Sequence, residues 1–131
     1  MKHSFVAMGS ALALLVGITL PALSFAQAPT VINVLSINDN GDLPGLLDIV
    51  KRVRAINQRL GNKGTSRVWQ ATLAGEGTNA IFVAIEHPSL VSMAQDNAKL
   101  QADAEWQKIV DEFEKKGMSV LSNSVSVEVT P

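Results

Sequence analysis

The stretch Ser66-Arg67-Val68-Trp69-Gln70-Ala71-Thr72-Leu73-Ala74-Gly75-Glu76-Gly77-Thr78-Asn79-Ala80-Ile81-Phe82-Val83-Ala84-Ile85-Glu86-His87 decides how this chain is organised. Two runs rich in β-branched and aromatic residues flank a glycine-rich break, which predicts two strands. In the first, Ser66–Ala74, the residues Arg67, Trp69, Ala71 and Leu73 share one face. In the second, Ala80–His87, Ile81, Val83 and Ile85 face opposite to Phe82 and Ala84, since successive strand side chains alternate. The break Gly75–Asn79 is too short for a parallel crossover, so the pair is an antiparallel hairpin. Both strands carry apolar residues on both faces, and such a sheet needs a cover on each side.

Working outward, the upstream stripe Leu46, Ile49, Val50, Val53, Ile56 and Leu60 recurs at steps of three and four. That period is one face of an amphipathic helix. Asp42 suits its N-cap, Pro44 its first turn and Gly61 its stop. Before it, Thr30–Asn38 is rich in Val and Ile and reads as a strand, followed by the turn cluster Asn38-Asp39-Asn40-Gly41-Asp42. Downstream, Ser89 opens a second helix whose stripe of Leu90, Met93, Asn97, Leu100 and Ala104 gives way to Trp106, Ile109, Val110 and Phe113. The six-residue step from Leu100 to Trp106 breaks the period, so the helix is expected to break near Ala102-Asp103, with Asp103 capping the new segment. Gly117 ends it, and Met118–Val129 reads as the last strand.

The order βαββαβ is that of the α+β ferredoxin-like sandwich, a four-stranded antiparallel sheet with two helices on one face. The other sheet face then lacks a cover. A second copy of the chain is the simplest one, which gives the expectation of a homodimer.

The full chain has 131 residues, 47% of them hydrophobic, no cysteine, and a formal net charge of −1. One domain fits that length. The near-zero charge argues against a nucleic-acid partner, which needs a basic surface. The lack of cysteine excludes disulfides, thiolate catalysis and cysteine-ligated clusters.

The amino terminus reads as an address. Met1-Lys2-His3 is basic, Phe5–Leu20 is uncharged and apolar, and Ser24-Phe25-Ala26 places small residues three apart. This is the pattern of a signal peptide over residues 1–26, cleaved after Ala26, with Ala28 as the second-ranked position. The expectation is an exported protein, periplasmic in a bacterial cell or secreted, with no membrane segment after cleavage. Residues 27–131 form the single domain. In that part His87 is the sole histidine, and ten basic side chains stand against twelve acidic ones.

The run Val83-Ala84-Ile85-Glu86-His87-Pro88-Ser89-Leu90, with Leu100-Gln101-Ala102-Asp103-Ala104-Glu105-Trp106-Gln107, resembles the dimeric α/β-barrel superfamily. It is closest to the NIPSNAP-like and antibiotic-biosynthesis-monooxygenase-like uncharacterised branches. There a strand ends in a Pro-Ser-Leu turn, and the next helix breaks at an Asp-Pro-Glu-Trp-like step. This chain has Ala104 in place of the proline and keeps the tryptophan. The resemblance implies a dimer with a pocket between sheet and helices. It does not single out a chemistry, because the superfamily holds cofactor-free monooxygenases, haem-degrading enzymes, small isomerases and many members of unassigned activity. The haem-degrading branch uses a helical histidine as axial ligand, and the segment from Ser89 to Lys116 contains none.

Candidate chemistry is sparse. His87 is a candidate general base, with Glu86 beside it in sequence, but neighbouring strand residues point to opposite faces unless the strand ends there. A lone histidine is a poor metal site, and no cofactor motif or metal-ligand spacing is present. Trp69, Phe82 and Trp106 are candidate lining residues for a flat ligand. Lys51, Arg52, Arg54 and Arg59 form a basic helix face in which Asp48 can pair with Arg52. Gly75-Glu76-Gly77 joins two strands and is a turn, not a phosphate loop.

Two functional readings follow. One is a non-catalytic exported dimer that binds a small apolar or aromatic molecule or a partner protein. The alternative is a cofactor-independent monooxygenase or small isomerase using His87 or Glu86 as acid–base. The scarcity of tunable titratable groups favours the first.

Overall fold

The structure, a computed structural model, describes residues 28–72, 75–77 and 79–129. The expected signal peptide lies outside the described residues, as do Leu73 and Ala74 of the expected second strand. Among the described residues no helix is long and apolar enough to cross a membrane.

The chain runs β1 (Val31–Asn38), α1 (Leu43–Arg59), β2 (Thr65–Gln70), β3 (Ile81–His87), α2 (Leu90–Gln101), α3 (Ala104–Lys115) and β4 (Ser119–Val127). The sheet order is β2-β3-β1-β4, and every pairing is antiparallel. This is the expected ferredoxin-like sandwich, with the second helix divided in two. The division falls where the apolar stripe changes register. There Asp103 takes an extended conformation, and its side chain accepts a hydrogen bond from the Trp106 amide at 3.1 Å. That bond satisfies a donor that the first turn of α3 leaves free. Asp42 and Ser89 cap α1 and α2 in the same way, accepting from the amides of Gly45 and Ser92.

Two expected boundaries shift. The second strand ends at Gln70 rather than Ala74, and Gly75–Gly77 forms one 3-10 turn inside a longer connection. The Ala71 amide still donates to Ala80 O at 3.0 Å, so the hairpin closes just beyond the strand. The last strand carries a bulge opposite Ser36/Ile37 and ends at Val127, leaving Val129 91% exposed.

The core lies between the sheet and the helices. Ile37, Ile81 and Val83 meet Leu46, Ile49 and Ile56 of α1 and Ile109 and Phe113 of α3. A smaller cluster joins Val31 to Leu90 and Met93 of α2. The expected α1 stripe is thus the buried one, and burial of such side chains contributes about 1.5–3 kcal/mol each. Residues of alternate parity face away from the helices. Registered rows there run Trp69–Phe82–Ser36–Ser122, Arg67–Ala84–Val34–Ser124 and Thr65–Glu86–Ile32–Ser126. On this uncovered face Trp69, Phe82, Ala84, Val34 and Ile32 stand among Thr65, Arg67, Glu86 and Ser36, and β4 presents serines.

Candidate functional site

A cavity of about 540 Å³ lies between the sheet and the helices. Most of its wall is aliphatic, from Leu35, Val53, Ile85, Met93 and Leu100 among others. One end is polar, and its groups come from four separate parts of the chain: Asn33, Asn62, His87 and Asp96.

His87 is the last residue of β3 and follows Ile81, Val83 and Ile85 on the helix-facing side. Pro88 then turns the chain and Ser89 caps α2, so the helix starts at once. Between one and two turns on, α2 presents Asp96 to the imidazole. The Asp96 carboxylate oxygen Oδ2 lies 3.6 Å from His87 Nδ1, and both side chains are more than 90% buried. The same oxygen accepts hydrogen bonds from the amides of Lys63 (3.0 Å) and Gly64 (2.9 Å). Asp96 therefore fastens the loop between α1 and β2 and sets a negative charge beside the imidazole. At 3.6 Å that contact is longer than a hydrogen bond and is electrostatic in character.

Burial lowers the His87 pKa below its ordinary value because the cation loses solvation. The attraction of Asp96 opposes this and does not overcome it. The ring is therefore neutral at neutral pH. Space around it is set by Gly64. A Cβ at that position would lie 2.7 Å from His87 Cε1 and 2.9 Å from Nδ1, so only glycine lets the loop pass this close.

Asn33 is 4% exposed and sits within the alternation Val31, Asn33, Leu35, Ile37. Its Oδ1 is buried without a hydrogen-bond partner. Asn62 donates from Nδ2 to Asn57 Oδ1 (2.7 Å) and Asp96 O (3.2 Å), which leaves its own buried Oδ1 without one. His87 Nδ1 is likewise buried with no hydrogen bond. Unpartnered buried polar atoms cost about 1–3 kcal/mol each, so this end of the cavity has capacity for a polar group.

The residues singled out from the sequence divide between the two sheet faces. His87 and Trp106 line the cavity, Trp106 being 7% exposed at the start of α3. Trp69 and Phe82 are paired across β2 and β3 on the uncovered face, with Trp69 56% exposed. Glu86 is on that face too, so Glu86 and His87 do not form a dyad. The basic face of α1 is largely engaged within the chain. Arg52 pairs with Asp48 and Glu112, Arg54 binds Ser66, and Arg59 pairs with Asp103. Among the described residues no three metal-ligating side chains gather.

Asp96, Asn33 and Asn62 were not among the sequence candidates. Two of them carried a signal. Asn33 is the one polar residue in the buried alternation of its strand. Asp96 lies six residues after Leu90 and three after Met93, so it shares their helical face. Asn62 carried none, since its role depends on how the loop folds against α2.

No family model matches this chain, and no curated protein matches it in sequence. Among solved structures it is similar to a NIPSNAP family protein from Agrobacterium tumefaciens, with a TM-score of 0.57 and 14% identity over 81% of this chain and 90% of that one. It is also similar to an uncharacterised NIPSNAP-like domain protein from Burkholderia xenovorans, with a TM-score of 0.59 and 14% identity over 81% and 88% of the two chains. At that identity the likeness is one of fold. It agrees with the resemblance drawn from the Glu86–Leu90 turn and the Asp103–Trp106 step.

Proposed function

We propose that this protein binds one small, largely apolar molecule in the cavity between sheet and helices, without chemical conversion. The observation that carries the proposal is the cavity itself: about 540 Å³, aliphatic over most of its wall, with a few buried polar groups gathered at one end. Small-molecule sites have this size and this division between bulk apolar lining and a few orienting groups. The apolar amino-terminal run supports export, so the ligand is met outside the cytoplasm. A second copy of the chain covers the sheet face that bears Ile32, Trp69 and Phe82. A two-fold pairing suits a patch that carries its own opposite charges, Arg67 and Glu86, among apolar residues.

Native mass spectrometry of the protein purified from its export compartment tests this reading. The expected result is a dimer carrying an added small mass, or a bare dimer that takes up naphthalene. A monomer that takes up no apolar probe overturns it.

A second reading rests on the Asp96–His87 contact. A carboxylate beside a neutral imidazole is the arrangement that orients a general base. On this reading the protein is a cofactor-independent isomerase or monooxygenase, with His87 as base and Glu86 uninvolved. His87→Ala then abolishes turnover while the fold persists, and unchanged turnover in that variant removes the reading.

A further inference from the structure

The polar end of the cavity is unusual in what it offers. Asn33 Oδ1 and Asn62 Oδ1 are both acceptors, both buried, and both without a partner. The Asn62 assignment follows from its amide nitrogen, which already donates twice. The Asp96 carboxylate adds a negative charge close by. The basic side chain on the wall, Arg54, is turned to Ser66, with its Nε 2.9 Å from the hydroxyl and Nη2 2.6 Å from the carbonyl oxygen. Asn33 and His87 stand diagonally on β1 and β3, since Val31 pairs with His87 and Asn33 with Ile85. Side chains in that relation are roughly 7–8 Å apart or less. A single small group can therefore lie within reach of both.

We infer that the cavity selects an uncharged ligand bearing a hydroxyl group on an apolar ring system, the hydroxyl donating to Asn33 or Asn62. The inference rests on the ligand-binding reading and narrows it. A carboxylate or phosphate on the ligand brings no donor to the two acceptors and meets the charge of Asp96. A plain hydrocarbon fills the aliphatic wall but displaces water from the acceptors and supplies nothing in return. An ammonium ion supplies donors but loses its hydration, and the nearby carboxylate is already committed to the Lys63 and Gly64 amides. A hydroxyl brings the donor that the two acceptors lack and sets no negative charge against Asp96.

Three probes of one ring system separate the possibilities: naphthalene, 2-naphthol and 2-naphthoate, each measured by equilibrium dialysis against the full-length mature protein. The expected order is 2-naphthol tightest, by about tenfold over naphthalene, the factor that one hydrogen bond supplies. Asn33→Val removes that preference and tightens naphthalene binding, because one fewer acceptor loses its water. Asn62→Leu is the second variant should the first fail to fold by circular dichroism. Equal binding of naphthol and naphthalene overturns the hydroxyl inference and leaves the apolar-ligand reading standing. Preference for naphthoate, or a naphthol preference that survives in both variants, also overturns it. Binding of none of the three overturns the inference and the ligand-binding reading together.

Discussion

His87 Nδ1 and Asp96 Oδ2 lie 3.6 Å apart inside the layer between sheet and helices, although nine residues and a strand-to-helix turn separate them in the chain. The strand places the imidazole on its buried face, and α2 returns the carboxylate over it. The pair joins three elements, because Asp96 also holds the loop that leads into β2.

That burial makes stability depend on pH in one direction. The folded-state pKa of His87 is lowered, so the unfolded chain binds the proton more readily. The stabilisation is complete above the ordinary histidine value of 6.5 and is lost as pH falls from there through the depressed folded value. Chemical denaturation between pH 7.5 and 5.5 should show stability falling toward the acid side. In His87→Gln the slope should flatten, and an unchanged slope assigns the effect to other groups.

Asp96→Ala removes the acceptor of two backbone amides at once. Hydrogen bonds to a charged group contribute about 1.5–3 kcal/mol each, so a loss of roughly 3–6 kcal/mol is expected from urea unfolding. Asp96→Asn keeps one carbonyl oxygen in place and should lose less. Equal losses in the two variants would show that the charge, rather than the acceptor, is what matters.

Gly64→Ala forces a methyl group against the imidazole. The ring must move, at a cost of about 1–3 kcal/mol. In His87→Ala the obstruction is gone, so the double variant should be less destabilised than the sum of the single ones. A thermodynamic cycle measures this coupling directly. Additivity would place the strain of Gly64→Ala elsewhere in the loop.

The uncovered sheet face gives a prediction about assembly. Trp69→Glu and Ile32→Glu put charge on exposed apolar positions that take no part in the core. On the proposed pairing, light scattering at micromolar concentration should show a dimer for the parent and a monomer for the double variant, with circular dichroism unchanged. A parent protein that is already monomeric contradicts the pairing.

The fold was legible in the residues to an unusual depth. The α1 stripe, the hairpin and the break at Asp103 all come from local periodicity, and local periodicity is what a single sequence records best. The failures are local too. The strand-like alternation continues past Gln70, yet the strand stops there and Ala71 is held only by the hydrogen bonds that close the hairpin on Asn79 and Ala80. His87 was legible as a residue worth attention, while its partner was not. A lone aspartate in a helical stripe looks like a solvated position until the helix is seen to fold back over the strand.

Alternation, helical period and capping residues settled the element order from β1 to β4, since each depends on neighbours a few positions away in the chain. Tertiary structure alone decided which aromatic residue faced what. Trp106 went into the cavity wall, while Trp69 and Phe82 went to the opposite side of the sheet. It also decided that Asn33, Asn62, His87 and Asp96 share one end of a cavity. These residues come from a strand, a loop, a second strand and a helix, and only the closure of the helices over the sheet brings such distant positions within reach of one another.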